Sequence, residues 1–126
     1  MKIRRIKIGV QRPEDSLKEA KAIARRIDAR EKLPEREEKL YLSNLDVFRK
    51  ALSPKRLDLL SAIGEHTPRS ARELAGQVER DIRNVSQDLA FLSRLGLVEL
   101  KGNRRGAAQA PTLPYDEIDL NIRIHF

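Results

Sequence analysis

The sequence predicts a mainly α-helical fold with a small β component. Apolar residues recur at spacings of three and four in several segments, for example residues 17–27 and 82–95, as expected for helices that bury one side. Capping residues and glycines punctuate the middle of the chain and mark where helices start and stop. Apolar and polar residues alternate near both ends, which predicts short strands there. A chain of 126 residues has the usual size of one domain and can bury one modest core.

The N-terminal third is predicted to be a strand followed by a helical arm. Alternation in the segment IKIGV predicts a short strand, which Pro13 ends. The charged segment 24–40 predicts a helix end, a break at Pro34 and a second helical start. We expect residues 1–44 to form this arm and to serve in dimerisation. The helix after the strand carries an apolar stripe that we expect to be incompletely buried: Leu17, Ala20, Ile23, Ala24 and Ile27.

The second predicted domain, residues 45–126, begins with well-marked helices. Ser53 before Pro54 is a helix start, because the serine oxygen caps free N–H groups and proline at the first helical position loses no hydrogen bond. Ser70 and Glu73 form a capping box that starts the next helix. These signals predict two successive helices after a short one near residues 44–52.

A third helix and a pair of strands follow. Asp81 can cap a helix that runs to about Leu95 and stops at Gly96, a usual left-handed terminator. The segment LVELK then predicts a strand, GNRRG a turn, and EIDLNIRIHF a long C-terminal strand. The two terminal strands can cover each other, within one chain or between two, with acidic residues facing basic ones.

The order helix, helix, short turn, helix and strand hairpin is that of a winged helix-turn-helix. The turn around Glu79 and Arg80 is so short that the second and third helices must cross steeply. The third helix is then left protruding. The predicted fold is therefore a winged helix-turn-helix with an N-terminal strand and helix arm and a C-terminal strand.

The region from Leu52 to about Leu113 resembles the winged-helix domains of MarR/ArsR-type transcriptional regulators. The matching segments are LSPKRLDLLSAI, SARELA, VSQDLAFLSRLGLVEL and the basic turn GNRRG. The whole chain is also similar to small predicted MarR-type regulators of archaea and bacteria. Members of that family often stand beside small toxin-like genes, so the resemblance implies an antitoxin or autoregulator role as one possibility.

The charge balance favours a polyanionic partner. The chain has 26 Lys and Arg against 19 Asp and Glu, a net charge of +7, and a pI of about 10.0. Phosphates attract such a surface and release counterions when it binds. The N-terminal arm is cationic through Lys2, Arg4, Arg5, Lys7 and Arg12.

The predicted DNA contacts lie on the outer side of the third helix and around it. Arg pairs with guanine edges, and Asn and Gln pair with adenine edges, in the major groove. The alternative is that these residues are an ordinary solvated surface, with Ser70 a plain helix cap. The full predicted set is Ser70, Arg72, Arg80, Arg83, Asn84, Gln87, Arg94, Lys101, Asn103, Arg104 and Arg105.

No catalytic or metal-binding pattern stands out in the sequence. There is no cysteine, and His66 and His125 lack companions at ligand spacing. No Ser-His-Asp order, glycine-rich phosphate loop or H-E-x-x-H signature is present. We therefore expect no enzyme activity, no cofactor and no metal. The N-terminus is too charged for a secretion signal, and no apolar run approaches membrane-spanning length, so a cytoplasmic location is expected.

These patterns predict a sequence-specific DNA-binding transcriptional regulator, a repressor or autoregulator. The partner is double-stranded DNA, bound by a homodimer built from the N-terminal third, with or without the C-terminal strand. A two-fold dimer implies a near-palindromic operator with half-sites about 10 base pairs apart. The alternative is an antitoxin or other protein-interaction module, whose winged helix binds a protein partner such as a cognate toxin.

Overall fold

The computed structural model describes residues 3–32, 38–102 and 109–122. Within these ranges the chain forms five helices and five strands, which is a mixed α/β architecture with more strand structure than predicted. The elements in chain order are β1 (Arg5–Val10), α1 (Pro13–Asp28), β2 (Glu38–Leu42), α2 (Leu45–Ala51), α3 (Pro54–His66), α4 (Ala71–Gln77), α5 (Ile82–Arg94), β3 (Glu99–Lys101), β4 (Ala110–Thr112) and β5 (Glu117–Asn121).

The chain divides into two compact units. Unit 1 contains the residues up to Ala51 together with those from Glu117 onward, and unit 2 is Leu52–Asp116. The predicted boundary between the two domains lies between residues 44 and 45. In the structure, α2 and β5 belong to unit 1 instead of the second unit. β5 belongs to unit 1 because it pairs with β1, the N-terminal strand.

Unit 1 contains a three-stranded parallel sheet in the order β2-β1-β5. Parallel neighbours need a crossover connection, and α1 supplies it between β1 and β2. The register sets Ile8 opposite Leu40 on one side and Leu120 on the other, so these three side chains share a face. The core of unit 1 is formed by Ile6, Ile8, Val10, Leu42, Phe48 and Ala51.

The second helical start predicted after Pro34 is wrong. Residues Glu38–Leu42 form β2, which pairs along its whole length with β1. Glu and Lys in this segment favour a helix locally, but an open edge of β1 and the alternation of Leu40 and Leu42 favour a strand.

The prediction that the terminal strands cover each other is confirmed within one chain. Arg5 lies opposite Glu117, and Lys7 lies opposite Asp119. The Arg5 Nη2 donates to Glu117 Oε2 at 2.9 Å, and this hydrogen bond raises the pKa of Arg5 above its ordinary value. Acidic and basic side chains therefore align the two strands, as the sequence suggested. The end of the predicted C-terminal strand, residues 123–126, lies outside the described residues.

Gly9 allows β5 to approach β1 closely, and we expect Gly9→Ala to weaken unit 1. A Cβ at this position would lie 2.9 Å from the carbonyl oxygen of Asn121 and 3.4 Å from the Tyr41 ring. Overpacking of this kind costs about 1–3 kcal/mol. The urea midpoint should fall, with backbone amides of β5 losing protection from hydrogen exchange. Gly76→Ala is the control, because a Cβ there meets nothing within 4 Å and should stabilise α4 by about 0.5–1 kcal/mol.

Unit 2 contains three helices and the antiparallel pair β3-β4. The predicted helix starts are confirmed. The hydroxyl of Ser53 accepts from the N–H of Arg56 at 3.3 Å, and that of Ser70 accepts from the N–H of Glu73 at 3.0 Å. Further on, Asp81 caps α5. Fully buried apolar residues of the three helices and the segment after them form the core: Leu59, Leu74, Val85, Leu92, Leu97 and Val98.

No helix in the described part of the chain is long and apolar enough to cross a membrane.

Candidate nucleic-acid interface

Helix α5 separates an apolar side from a polar one. Val85, Leu89 and Leu92 are buried in unit 2. These residues are spaced by four and three, so they lie on one side of the helix and fix which side faces out. The exposed side chains of α5 are Arg83, Asn84, Ser86, Gln87, Ala90 and Arg94. We call this set the outer face of α5.

The link from α4 to α5 is short and closely hydrogen-bonded. The N–H of Arg80 donates to the carbonyl of Ala75 at 3.0 Å, which closes the end of α4. Glu79 takes a left-handed conformation with φ of 55°, which turns the chain within a few residues. Asp81 then caps α5 by accepting from the N–H of Arg83 at 2.8 Å. The start of α5, where Arg83 and Asn84 lie, is therefore fixed by the hydrogen-bonded turn before it and by the Asp81 cap.

The structure brings most of the predicted site residues to exposed positions in unit 2. Arg83, Asn84, Gln87 and Arg94 lie on the outer face of α5, Arg72 is exposed in the first turn of α4, and Lys101 is exposed at the end of β3. Ser70 is half-buried and caps α4, so its hydroxyl has a structural role. Asn103, Arg104 and Arg105 lie outside the described residues.

Arg80 occupies a different environment from the other predicted contacts. Its Nη2 donates to Asp88 Oδ2 at 2.7 Å, while Nε of Arg56 donates to Asp88 Oδ1 at 3.2 Å. The side chains of Arg80, Asp88 and Arg56 are only 20%, 15% and 22% exposed. We call these three residues the Asp88 cluster. Arg80 and Arg56 are thus both engaged within unit 2.

Phe91 belongs to the same part of unit 2. The guanidinium of Arg56 lies 3.9 Å from the centre of the Phe91 ring, and that of Arg94 lies 5.9 Å from it. Both distances are within the range of a cation–π interaction, and that of Arg56 is the shorter. The half-buried Phe91 therefore supports the arginines beside it and is not exposed for stacking on a base.

A cleft of about 460 Å³ lies beside the outer face of α5. Its walls come from the start of α4, the middle of α5 and the strand β3. Sequence reasoning missed the small residues Ser86 and Ala90, although their spacing of four on the outer side of the helix could have identified them. The lining residues are Ser70, Ala71, Arg72, Ser86, Leu89, Ala90, Leu100 and Gln109.

Among the residues that the structure describes, no three His, Asp or Glu side chains come together as metal ligands. What unit 2 presents is a helix with cationic and amide side chains on one side, flanked by Arg72 and Lys101. Guanidinium, ammonium and carboxamide groups are hydrogen-bond donors of the kind that phosphate oxygens and base edges accept from in protein–DNA complexes.

The comparisons with known proteins identify a family. Among curated proteins, none matches the chain. The model of the HVO_A0114 family matches residues 51–120, which is more than half of the chain and includes all of α3, α4 and α5. The chain therefore belongs to the HVO_A0114 family.

Proposed function

We propose that the chain is a sequence-specific DNA-binding transcriptional regulator. In this proposal α3, α4, α5 and the β3-β4 pair act as a winged helix-turn-helix, with α5 as the recognition helix. The observation that carries the proposal is the division of α5 into a buried apolar side and an outer face bearing Arg83, Asn84 and Gln87. A helix of this kind fits the major groove of B-form DNA.

The outer face of α5 has the chemistry that base readout requires. A guanidinium donates two parallel hydrogen bonds to O6 and N7 of guanine, and a carboxamide both donates to and accepts from adenine. Arg83, Asn84 and Gln87 supply one group of the first kind and two of the second. Their positions at the start of α5 are those from which a recognition helix contacts bases.

Exposed cations around α5 supply the sequence-independent part of binding. Arg72, Arg94 and Lys101 are exposed in unit 2, and the chain has a net charge of +7. Each cation that neutralises a phosphate releases counterions, so binding should weaken steeply as salt rises. Base contacts by α5 would then add specificity to this electrostatic attraction.

Selection of genomic DNA fragments by the purified protein tests this function. We expect the bound fragments to share a sequence motif, and a duplex containing it to bind at least about 10³-fold more tightly than a scrambled duplex. Affinities are compared at one fixed salt concentration, because both change with salt. Equal binding of motif-containing and scrambled duplexes, or no binding of either, would contradict the proposal.

Helix α1 supports a second role, that of binding a protein. It has no buried residue, and Leu17, Ile23 and Ile27 are 56%, 43% and 57% exposed. Its polar side makes contacts within unit 1 instead, where Glu19 Oε1 lies 3.7 Å from Nζ of Lys39 in β2. A surface helix usually buries its apolar stripe, so this reversed arrangement supports the proposal that another chain covers the stripe.

We propose that a second copy of the chain covers α1, in an antiparallel arrangement. The first turn of α1 is acidic through Glu14 and Asp15, and the last turn is basic through Arg25 and Arg26. Antiparallel pairing about a two-fold axis perpendicular to the helices places the acidic turn of one helix near the basic turn of the other, whereas parallel pairing sets like charges together. A homodimer of this kind would bind a near-palindromic operator.

Replacing Leu17 and Ile27 with glutamate is expected to separate the dimer, because charges would then enter the apolar stripe. Sedimentation equilibrium should give twice 14.5 kDa for the wild type and 14.5 kDa for the double variant. Lys18→Glu is the control, since Lys18 is exposed on α1 away from the stripe and its change should leave the dimer intact. A wild-type mass of 14.5 kDa would contradict the homodimer and would favour a different protein, such as a toxin, as the partner of α1.

A further inference from the structure

Asp88 lies between two arginines on different elements. It accepts from Arg80, in the turn before α5, at 2.7 Å and from Arg56, on α3, at 3.2 Å. Two guanidiniums face one carboxylate, so the Asp88 cluster keeps a net charge of +1. All three side chains are at most 22% exposed. The carboxylate of Asp88 therefore holds one guanidinium from the turn before α5 and one from α3.

The hydrogen bonding of Arg80 is incomplete at its second terminal nitrogen. Nη1 of Arg80 is buried and has no hydrogen-bond partner among the described residues. A buried guanidinium donor without a partner is unfavourable, so the pair with Asp88 must hold Arg80 in place. Arg56 has an additional contact, because its guanidinium lies 3.9 Å from the centre of the Phe91 ring. Loss of the Asp88 charge should therefore release Arg80 before Arg56.

We propose that Asp88 withholds two arginines from DNA phosphates and thereby limits the sequence-independent affinity of unit 2 for DNA. The proposal rests on the DNA-binding function proposed above. Arg80 precedes Arg83 by three residues, so a released guanidinium would join the exposed cations at the start of α5. Contacts to phosphates add affinity for every sequence alike and carry no base information. Asp88 thus limits the affinity for DNA of every sequence, while the outer face of α5 reads bases.

Asp88→Asn tests this role, because it removes the charge and keeps the shape of the side chain. Dissociation constants for the selected motif and for a scrambled duplex are measured over a range of KCl concentrations. We expect the scrambled duplex to bind more tightly and its slope of log K against log[salt] to steepen by about 0.9 for each released arginine. The motif should gain about as much as the scrambled duplex, so the ratio of specific to non-specific affinity should stay near its wild-type value.

Three further variants separate withholding from a general loss of structure. Asp58→Asn removes one negative charge from an exposed position on α3 and should leave the salt slope unchanged. Asp88→Glu keeps the carboxylate and should retain the wild-type slope. The double variant that combines Asp88→Asn with Arg80→Gln should have a salt slope about 0.9 less steep than that of Asp88→Asn alone. Circular dichroism at each salt concentration confirms that the compared proteins are folded.

Arg80→Gln alone gives a test that does not require the Asp88 variant to fold. If Asp88 withholds Arg80, this change leaves the salt slope of the wild type unaltered, whereas Arg94→Gln lowers it by about 0.9. An equal loss of slope in the two variants would overturn the inference. So would identical slopes for Asp88→Asn and Asp58→Asn in a protein that binds its motif. Failure of the wild type to bind any DNA would instead overturn the proposed function, and this inference with it.

Discussion

Replacing Arg83 with alanine is expected to reduce affinity for the selected DNA motif by about 1–3 kcal/mol, or roughly 5- to 150-fold. Arg83 is exposed at the start of α5, two residues after the Asp81 cap that fixes the helix end. A guanidinium at this point can donate two hydrogen bonds to one guanine, and alanine leaves that base without a partner. Repeating the fragment selection with the variant should show relaxed preference at a single base pair.

Two matched variants distinguish base readout by Arg83 from its charge. Arg83→Lys keeps the charge but loses the planar pair of donors, so specificity should fall while the salt slope is retained. Lys55→Ala removes a cation from an exposed position at the start of α3 and should leave motif preference unchanged. If Arg83→Ala weakens motif and scrambled duplexes equally, then Arg83 contacts phosphate and the proposed reading surface must be reassigned.

The helices of unit 2 could be predicted from sequence because local signals determine them. Ser53, Ser70 and Asp81 each accept a backbone hydrogen bond at the predicted helix start. Gly96 follows α5 with φ of 80°, as the predicted left-handed terminator requires. Each of these signals acts within four residues, so no tertiary contact is needed to recognise it.

Strand β2 could not be predicted because its partner lies far away in the sequence. The segment Glu38–Leu42 has helix-favouring Glu and Lys, and its strand state depends on the exposed edge of β1. Parallel pairing in turn requires the whole of α1 as a crossover. The same long-range pairing assigns β5 to unit 1, which the order of segments along the chain does not reveal.

The candidate site was predictable where helical periodicity applies and was not predictable outside it. Arg83 and Gln87 follow from the spacing of Val85, Leu89 and Leu92, since those three define the buried side of α5. Arg80 precedes α5, so helical periodicity does not predict where its side chain points. Its pairing with Asp88, and the inclusion of Arg56 from α3, depend on how α3 packs beside α5.

Replacing Leu92 with alanine is expected to destabilise unit 2 by about 2.7–5 kcal/mol, the largest effect on stability that we predict. Leu92 is 0% exposed on the buried side of α5, so truncation removes apolar contacts and leaves a cavity. Single domains have a total stability of only about 5–15 kcal/mol, so much of it would be lost. Urea unfolding followed by circular dichroism measures the change.

Leu57→Ala is the matched control for Leu92→Ala, because Leu57 is 37% exposed on α3 and its truncation should cost about 1 kcal/mol or less.

Variants on the buried side and on the outer side of α5 should change different properties, stability in the first case and DNA affinity in the second. Under conditions where it remains folded, Leu92→Ala should bind its motif with nearly wild-type affinity, since it keeps the outer face of α5. Arg83→Ala should lose motif affinity while keeping its urea midpoint, because Arg83 is exposed. If either variant changes both properties strongly, the buried and outer sides of α5 are not separable, and the proposal that α5 reads DNA through its outer face alone is wrong.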